Sequence, residues 1–292
     1  MQPFSDWAND SFARDILHLE RTGPTSARSP IQYENTVGAV FGGQFLAQAI
    51  AAARLTVDGW PMHSCNGLFI RAGLGNAPID YEIELTRDGR SFASRRVLAV
   101  QDGKPIFDML CSFHAGEVGP SHQMDPDPTL PDPESLFSMP DFVLSEDDHL
   151  PPGTVEVYRR PFPVEMRLFD PHEDFHLRGR PGPRRRLWFR MPSAAQVEDI
   201  GAHQALLSFM SDYWLGSGAM IQHYPPYPDR FPVTTLNHSL WIHAPARVDQ
   251  WLLYSIDTPF AGEGRGFARG LIYDRAGRLI ASAAQEVIMR GR

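Results

Sequence analysis

One acidic side chain in an otherwise apolar helix is the first candidate for chemistry in this sequence. The stretch His203–Leu215 reads HQALLSFMSDYWL and predicts a helix, because apolar residues recur at three- and four-residue steps. Asp212 falls at the border of this apolar arc, and a stop at Gly216 would place it in the last turn, where the helix dipole opposes a negative charge. A half-buried carboxylate has a raised pKa and suits a general base. The alternative is an exposed aspartate on the helix shoulder.

A pair of glycines marks a second candidate site. Phe41-Gly42-Gly43-Gln44 is followed by FLAQAIAAARL, whose alanines and leucines favour helix. Glycines at a helix start expose backbone N–H groups that can bind an anion or a polarised carbonyl. A tight strand-to-helix turn at a close packing contact explains them equally well. We include Gly43 and Gln44 among the candidate substrate-binding residues.

A run of arginines is the third candidate. Six of them lie close together in the sequence: Arg178, Arg180, Arg184, Arg185, Arg186 and Arg190. Guanidinium groups suit bidentate contact with phosphate, and a solvated surface run is the usual alternative. We take Arg184, Arg185 and Arg186 as candidate substrate-binding residues.

Composition limits the class of protein. The chain has 292 residues and a net charge of −8, and nine acidic residues lie between Ala115 and Val155, so the remainder carries −8 + 9 = +1. A near-neutral body argues against nucleic acid as a partner. The sequence predicts no membrane span and no signal peptide, so we expect a cytoplasmic protein. Cys65 and Cys111 lie in apolar strand-like runs and are expected to be buried free thiols.

The elements that position these candidates occur twice. Each half shows a helix and several strand patterns, and Gly89-Arg90-Ser91-Phe92-Ala93 is echoed by Gly264-Arg265-Gly266-Phe267-Ala268. Gly116–Gly153 is rich in proline and acid, as a linker is. We therefore expect an α+β fold with an N-terminal domain over 1–115, a linker over 116–153 and a C-terminal domain over 154–292. Each domain would be a helix with an antiparallel meander, and the two sheets could pair edge to edge.

Motifs spread over both halves resemble the acyl-CoA thioesterase II family. The matching residues run from about Gly38 to Arg290, and they include Val40–Gln44, Arg87–Phe92, Gln101–Phe107, His203-Gln204, Ser211-Asp212, Thr235–Trp241, Trp251–Ser255 and Gln285-Glu286. The resemblance implies a double hotdog, in which two antiparallel sheets each wrap around a central helix. It also implies hydrolysis of a fatty or related acyl-CoA.

The same resemblance implies a catalytic trio of Asp212, Thr235 and Gln285. Thioester hydrolysis needs an activated water, and Asp212 would be its base while Thr235 holds the same water. Gln285 shares the apolar face of its strand with Ala281, Ala283, Val287 and Met289, so its buried amide must find partners. A structural cross-strand hydrogen bond is the alternative role for it. We expect no cofactor and no metal, and a homodimer or higher homo-oligomer.

Two other functions fit the same fold. A non-catalytic acyl-CoA binding or sensing module would bind without releasing thiol. A hotdog-type enoyl-CoA hydratase would need an Asp/His pair acting on a carbon-bound proton. Both rest on analogy of fold, a weaker warrant than the site itself.

Overall fold

A computed structural model describes residues 9–34, 38–150, 152–179, 181–223 and 233–290. The termini, on which the expectation of no signal peptide rests, lie partly outside these ranges. The helices are α1 (Phe12–Asp15), α2 (Gly42–Arg54), α3 (Met139–Ser145), α4 (Pro152–Arg159), α5 (Pro171–Asp174) and α6 (Ile200–Ile221). The strands are β1 (Glu20–Gly23), β2 (Ser26–Ser29), β3 (Met62–Phe69), β4 (Ile79–Asp88), β5 (Phe92–Gln101), β6 (Lys104–His114), β7 (Glu165–Leu168), β8 (Arg184–Arg190), β9 (Val233–Ile242), β10 (Leu252–Gly262), β11 (Arg265–Asp274) and β12 (Leu279–Met289).

All of these strands join in one antiparallel sheet. Its order is β1-β2-β4-β5-β6-β3-β9-β12-β11-β10-β8-β7, and β3 pairs with β9 where the two halves meet. The edge-to-edge pairing expected from the sequence is confirmed. The expected simple meanders are wrong in one respect, because β3 pairs with β6 and β9 pairs with β12 instead of with the next strand along the chain. In each half the strands thus wrap around one helix without closing into a barrel, and the whole is a double hotdog.

The helices α2 and α6 form the centre of the core and pack against each other. Strand residues that alternate toward them, such as Cys65, Leu240 and Ala283, are buried. Asp199 caps α6 by accepting a hydrogen bond from the Gly201 N–H, and it also forms an ion pair with Arg54 of α2 at 2.7 Å. The two halves are therefore joined both through the sheet and through the helices.

The helix α6 is longer than the sequence pattern predicts. It spans 22 residues and continues past Gly216 to Ile221, so the predicted stop is wrong and Asp212 lies in the middle of the helix. Gly216 is present for packing, since a Cβ atom there would lie 2.8 Å from Val287 Cγ1 and 3.0 Å from Gln285 Nε2. Asp212 is also buried and not at an exposed shoulder, because α6 is covered on nearly all sides.

The proline- and acid-rich segment packs on the C-terminal half. Asp127 pairs with Arg186 at 3.1 Å, and Asp132 and Glu134 pair with Arg275 at 2.8 and 2.9 Å. The indole N–H of Trp188 donates to the Pro131 carbonyl at 3.0 Å. The negative charge concentrated in this segment is therefore partly matched by arginines of the adjoining sheet.

Candidate active site

Asp212, Thr235 and Gln285 come together although they lie on three separate elements. Asp212 is on α6, Thr235 near the start of β9, and Gln285 on β12, the strand that pairs with β9. The Gln285 side-chain amide donates to Asp212 Oδ1 at 3.0 Å and to Thr235 Oγ1 at 2.8 Å. Because both hydrogens of this amide are used, Gln285 links the carboxylate and the hydroxyl into one unit.

The start of α2 completes this cluster from the other half of the molecule. The backbone N–H of Gly43 lies close enough to the Asp212 carboxylate to lower its pKa. Phe41, which precedes the helix, has no polar side chain that could cap it. No N-cap side chain thus caps the N–H groups of Gly42 and Gly43, whereas the Gln44 N–H donates to the Phe41 carbonyl at 3.0 Å, and the helix dipole stabilises negative charge at this end. The positive end of α2 therefore explains why a carboxylate is placed in the apolar helix α6.

The two glycines at the start of α2 are required by this close approach. A Cβ atom on Gly42 would lie 2.7 Å from Asp212 Oδ2, and one on Gly43 would lie 2.5 Å from the Phe209 carbonyl oxygen. Real Cβ contacts are not this short, so any larger residue would push α2 away from α6. The close-packing interpretation of the glycine pair is confirmed, and a substrate contact by Gly43 stays a prediction.

Burial sets the proton affinity of Asp212. Its side chain lies beside Gly42, whose surroundings include the Phe69 ring, and it is almost fully shielded from solvent. Desolvation raises the pKa of Asp212 to about 7, although hydrogen bonds from Gln285, the Gly43 amide and Thr235 oppose this rise. A carboxylate of this kind is partly ionised near neutral pH and can accept a proton there.

Gln44, the residue next to Gly43, is used internally. It is fully buried; its side-chain oxygen accepts from the Tyr33 N–H at 2.9 Å and its amide donates to the Ile31 carbonyl at 2.9 Å. Gln204, its counterpart at the start of α6, bonds both backbone groups of Met62 at 3.0 Å in the same manner. These glutamines hold neighbouring backbone in place, and a substrate contact by Gln44 stays a prediction.

The three arginines of β8 do not form a single cluster. Arg185 is buried and pairs with Asp174 at 2.8 Å, whereas Arg184 is exposed and Arg186 pairs with Asp127, because successive side chains of a strand alternate between faces. β8 is separated from β12 by β10 and β11, which corresponds to about 14 Å at the usual strand spacing. Their contact with coenzyme A phosphates stays a prediction.

His238 is a residue of this site to which sequence reasoning gave no role. It lies opposite Gln285 in the β9–β12 pairing and is fully buried. Its Nδ1 is 3.1 Å from Gln285 Oε1, and its Nε2 is 2.9 Å from Ser211 Oγ. A histidine that alternates with Leu240 and Ile242 on an apolar strand face is the signal that could have revealed it.

The chain resembles proteins of one family along most of its length. A family model described as the acyl-CoA thioesterase C-terminal domain matches residues 128–289, and one described as the acyl-CoA thioesterase N-terminal domain matches residues 31–114. Acyl-coenzyme A thioesterase 8 of Rattus norvegicus is 34% identical over 95% of this chain and 88% of its own length. Acyl-CoA thioesterase 2 of Haemophilus influenzae is 31% identical over 86% of this chain and 87% of its own.

Solved structures agree with the sequence relatives. The crystal structure of an acyl-CoA thioesterase II from Mycobacterium marinum has a TM-score of 0.75 and 31% identity, covering 96% of this chain and 97% of that one. Among the described residues, no helix combines the length and the apolar character needed to cross a bilayer. The matches to both halves, together with this fold, confirm the resemblance found in the sequence, and the chain belongs to the acyl-CoA thioesterase II family of thioester hydrolases.

Proposed function

We propose that the protein hydrolyses a fatty or related acyl-CoA to the free acid and coenzyme A, using a water molecule oriented by Asp212, Thr235 and Gln285. The observation that carries this proposal is the direct hydrogen bonding of the three side chains around one buried carboxylate. The relatives named as acyl-CoA thioesterases support the substrate class.

The chemistry follows from the protonation state of Asp212. The ionised carboxylate takes a proton from water while the water oxygen attacks the thioester carbonyl carbon. When the resulting oxyanion collapses, the carbon–sulfur bond breaks and the proton held by Asp212 passes to the departing thiolate. Thr235 accepts from Gln285 and donates its hydroxyl hydrogen to the Asp212 carboxylate, so one lone pair of its oxygen remains to accept a hydrogen from the water. The Gly43 N–H is our proposed contact for the developing oxyanion, made when Asp212 has become protonated and neutral.

A covalent route through a serine is the rival that the geometry itself raises. Ser211 Oγ lies 2.9 Å from His238 Nε2, a spacing that a serine nucleophile and its base would share. Ser211 is however fully buried, and the Nδ1 of His238 is 3.1 Å from Gln285 Oε1 but 3.9 Å from Asp212 Oδ1. The third group of a triad is thus not the carboxylate, and Ser211 cannot reach a substrate without unpacking α6.

The two rivals on the same fold are less well supported. The hydratase needs an aspartate and a histidine that both face the substrate, whereas His238 is enclosed behind Gln285. A binding module needs no buried carboxylate with a raised pKa, which costs stability. Assembly into a homodimer or higher homo-oligomer stays a prediction that light scattering checks.

The test is release of free thiol from a panel of acyl-CoAs by the wild type, Asp212→Asn and a control, Asp257→Asn, which removes a surface carboxylate paired with Arg269. We expect Asp212→Asn to lose at least about a hundredfold in kcat, the scale of a general base, and the control to stay near wild type. In ¹⁸O-labelled water one label should enter the acid product. Binding without thiol release would support the module, and hydration of an enoyl-CoA would support the hydratase. Full activity of Asp212→Asn would make Asp212 structural.

A further inference from the structure

Behind Gln285 lies a second hydrogen-bonded layer made of His238 and Ser211. Each of the two side chains is fully buried, and Gln285 is 1% exposed. The chain of contacts runs from Ser211 Oγ to His238 Nε2 at 2.9 Å, and from His238 Nδ1 to Gln285 Oε1 at 3.1 Å. Groups buried this completely depend on one another for hydrogen bonds, so the proton positions along the chain are coupled.

The ionised carboxylate determines where those protons lie. An ionised Asp212 can only accept, so Gln285 must turn its N–H groups toward Asp212 and Thr235 and its oxygen toward His238. That oxygen also only accepts, and therefore His238 carries its hydrogen on Nδ1. A neutral imidazole then has a bare Nε2, which accepts the hydroxyl hydrogen of Ser211.

The opposite set of proton positions has the His238 hydrogen on Nε2. It satisfies every hydrogen bond within the Ser211–His238–Gln285 chain but conflicts with an ionised Asp212. Ser211 Oγ is also 3.0 Å from the Ser208 carbonyl, and a hydroxyl that donated there would receive a hydrogen from Nε2 of His238. The bare Nδ1 would then accept from a reversed Gln285 amide. The Gln285 oxygen would face Asp212 Oδ1 at the present 3.0 Å, which repels an ionised carboxylate. The tautomer of His238 and the charge of Asp212 are thus linked.

We propose that His238, oriented by Ser211, is a positioning residue that holds the Gln285 amide with its two N–H groups toward Asp212 and Thr235. This inference rests on the proposed function, because it assigns a partner to one member of that trio. Neither His238 nor Ser211 touches the water or the substrate. Burial lowers the pKa of His238 to about 4, so it stays neutral and keeps a single hydrogen throughout the neutral range.

Few other titratable groups face Asp212 from the elements packed on it. In the part of the chain that the structure describes, these are His238 on β9, with Nδ1 at 3.9 Å, and Tyr254 on β10, whose hydroxyl donates to the Ser211 carbonyl at 3.0 Å. Burial holds the pKa of Tyr254 well above its usual value. A change in the pH dependence near neutrality therefore reports Asp212 and the groups that orient it.

The test compares His238→Leu with His238→Asn. Leucine removes the donor at Nδ1, whereas the Asn amide nitrogen occupies nearly the same position and still donates to Gln285. We expect His238→Leu to lower kcat on the order of tenfold to a hundredfold, the usual cost of losing an orienting partner. KM should change little, and the acid limb of the pH–kcat profile should move to higher pH because Asp212 loses oriented donors. His238→Asn should recover most of the kcat. The control His243→Asn changes an exposed histidine just past the end of β9 and should match wild type.

A measurement on the wild type keeps the proposal testable if His238→Leu does not fold. The ¹⁵N shifts of the His238 imidazole at pH 8 should show hydrogen on Nδ1 and a bare Nε2, and the reverse assignment would overturn the proposal. A folded His238→Leu with wild-type kcat and acid limb would overturn it as well. If Asp212→Asn is inactive in that case, only the role of His238 fails. If Asp212→Asn is itself fully active, the proposed catalytic role of Asp212 is overturned, and the role of His238 that rests on it is overturned as well.

Discussion

The two hotdog halves place different buried residues in the corresponding pair of strands. In each half the last strand pairs with the strand that follows the helix, and a fully enclosed pair of residues lies opposite one another there. In the C-terminal half this pair is Gln285 and His238, and in the N-terminal half it is Cys111 and Cys65. All four side chains are buried, so the interior of this strand pair holds a polar network in one half and two thiols in the other.

The two halves contribute different groups to the candidate site: the C-terminal half supplies side chains and the N-terminal half supplies backbone. Burial raises the pKa of Cys65 to about 12 and that of Cys111 further, so both stay protonated and act as packing groups. The N-terminal half contributes the Gly42-Gly43 start of α2 instead, which meets the carboxylate of Asp212. The candidate site thus combines the start of the N-terminal helix α2 with polar side chains of the C-terminal half.

The largest expected effect comes from truncating one buried residue of this strand pair in each half. Gln285→Ala removes the amide that joins Asp212 to Thr235, and we expect kcat to fall about a hundredfold to a thousandfold, as for loss of one oriented donor. Cys111→Ala truncates a buried residue of the N-terminal strand pair and should leave kcat within about twofold, with a loss of stability near 1 kcal/mol. Steady-state kinetics and thermal melts measure both. Equal losses of kcat in the two variants would remove the functional distinction between the halves.

A second prediction concerns the stability cost of the polar network. Because the folded-state pKa of Asp212 is about 7 against 3.8 for a free side chain, the folded protein binds a proton more tightly between pH 4 and 7. The contribution of this group to the free energy of unfolding therefore falls as the pH rises through that window. Asp212→Asn should be more stable than wild type above pH 7 by up to about 4 kcal/mol, and the difference should shrink toward pH 4. A difference in the free energy of unfolding between the two proteins that does not change with pH would contradict a buried, ionised Asp212.

A smaller effect is expected at the contact between the halves. A Cβ on Gly43 would lie 2.5 Å from the Phe209 carbonyl, so Gly43→Ala should displace α2 and destabilise the protein by about 1–3 kcal/mol. We expect kcat to fall about tenfold as the N–H moves away from Asp212. Gly119→Ala is the matched control, since no atom lies within 4 Å of its added Cβ. Equal melting points for both variants would mean that the glycine pair is not needed for the close approach.

The sequence predicted which side chains are candidates better than it predicted the ends of their elements and their contacts. Asp212 was conspicuous as a carboxylate in an apolar helix, and Gln285 as an amide on an apolar strand face. The end of α6 was placed wrongly at Gly216, because a glycine that stops a helix and one that makes room for Gln285 look alike in sequence. Local patterns carry no information on contacts between distant segments, so the approach of Gly43 to Asp212 could be found only in the structure.

The same limit applies to His238. Its pairing with Gln285 depends on the register of β9 against β12, where β9 has one extra residue between Thr235 and Asn237. An irregularity of this kind changes which side chains face inward, and periodicity alone does not reveal it. The resemblance to a known family suggested Thr235 and Gln285 as candidates, whereas their hydrogen bonds to each other and to Asp212 could be found only in the structure.

The central claim is that Asp212 is a buried general base whose proton leaves near neutral pH, and the pH dependence of kcat/KM tests it most directly. For the wild type we predict a rate that rises with pH and levels off above an acid limb near pH 7, the pKa of Asp212. In Asp212→Asn that limb should disappear and leave a low, flat profile. A wild-type limb near pH 4, or an unchanged limb in the variant, would show that another group controls the reaction.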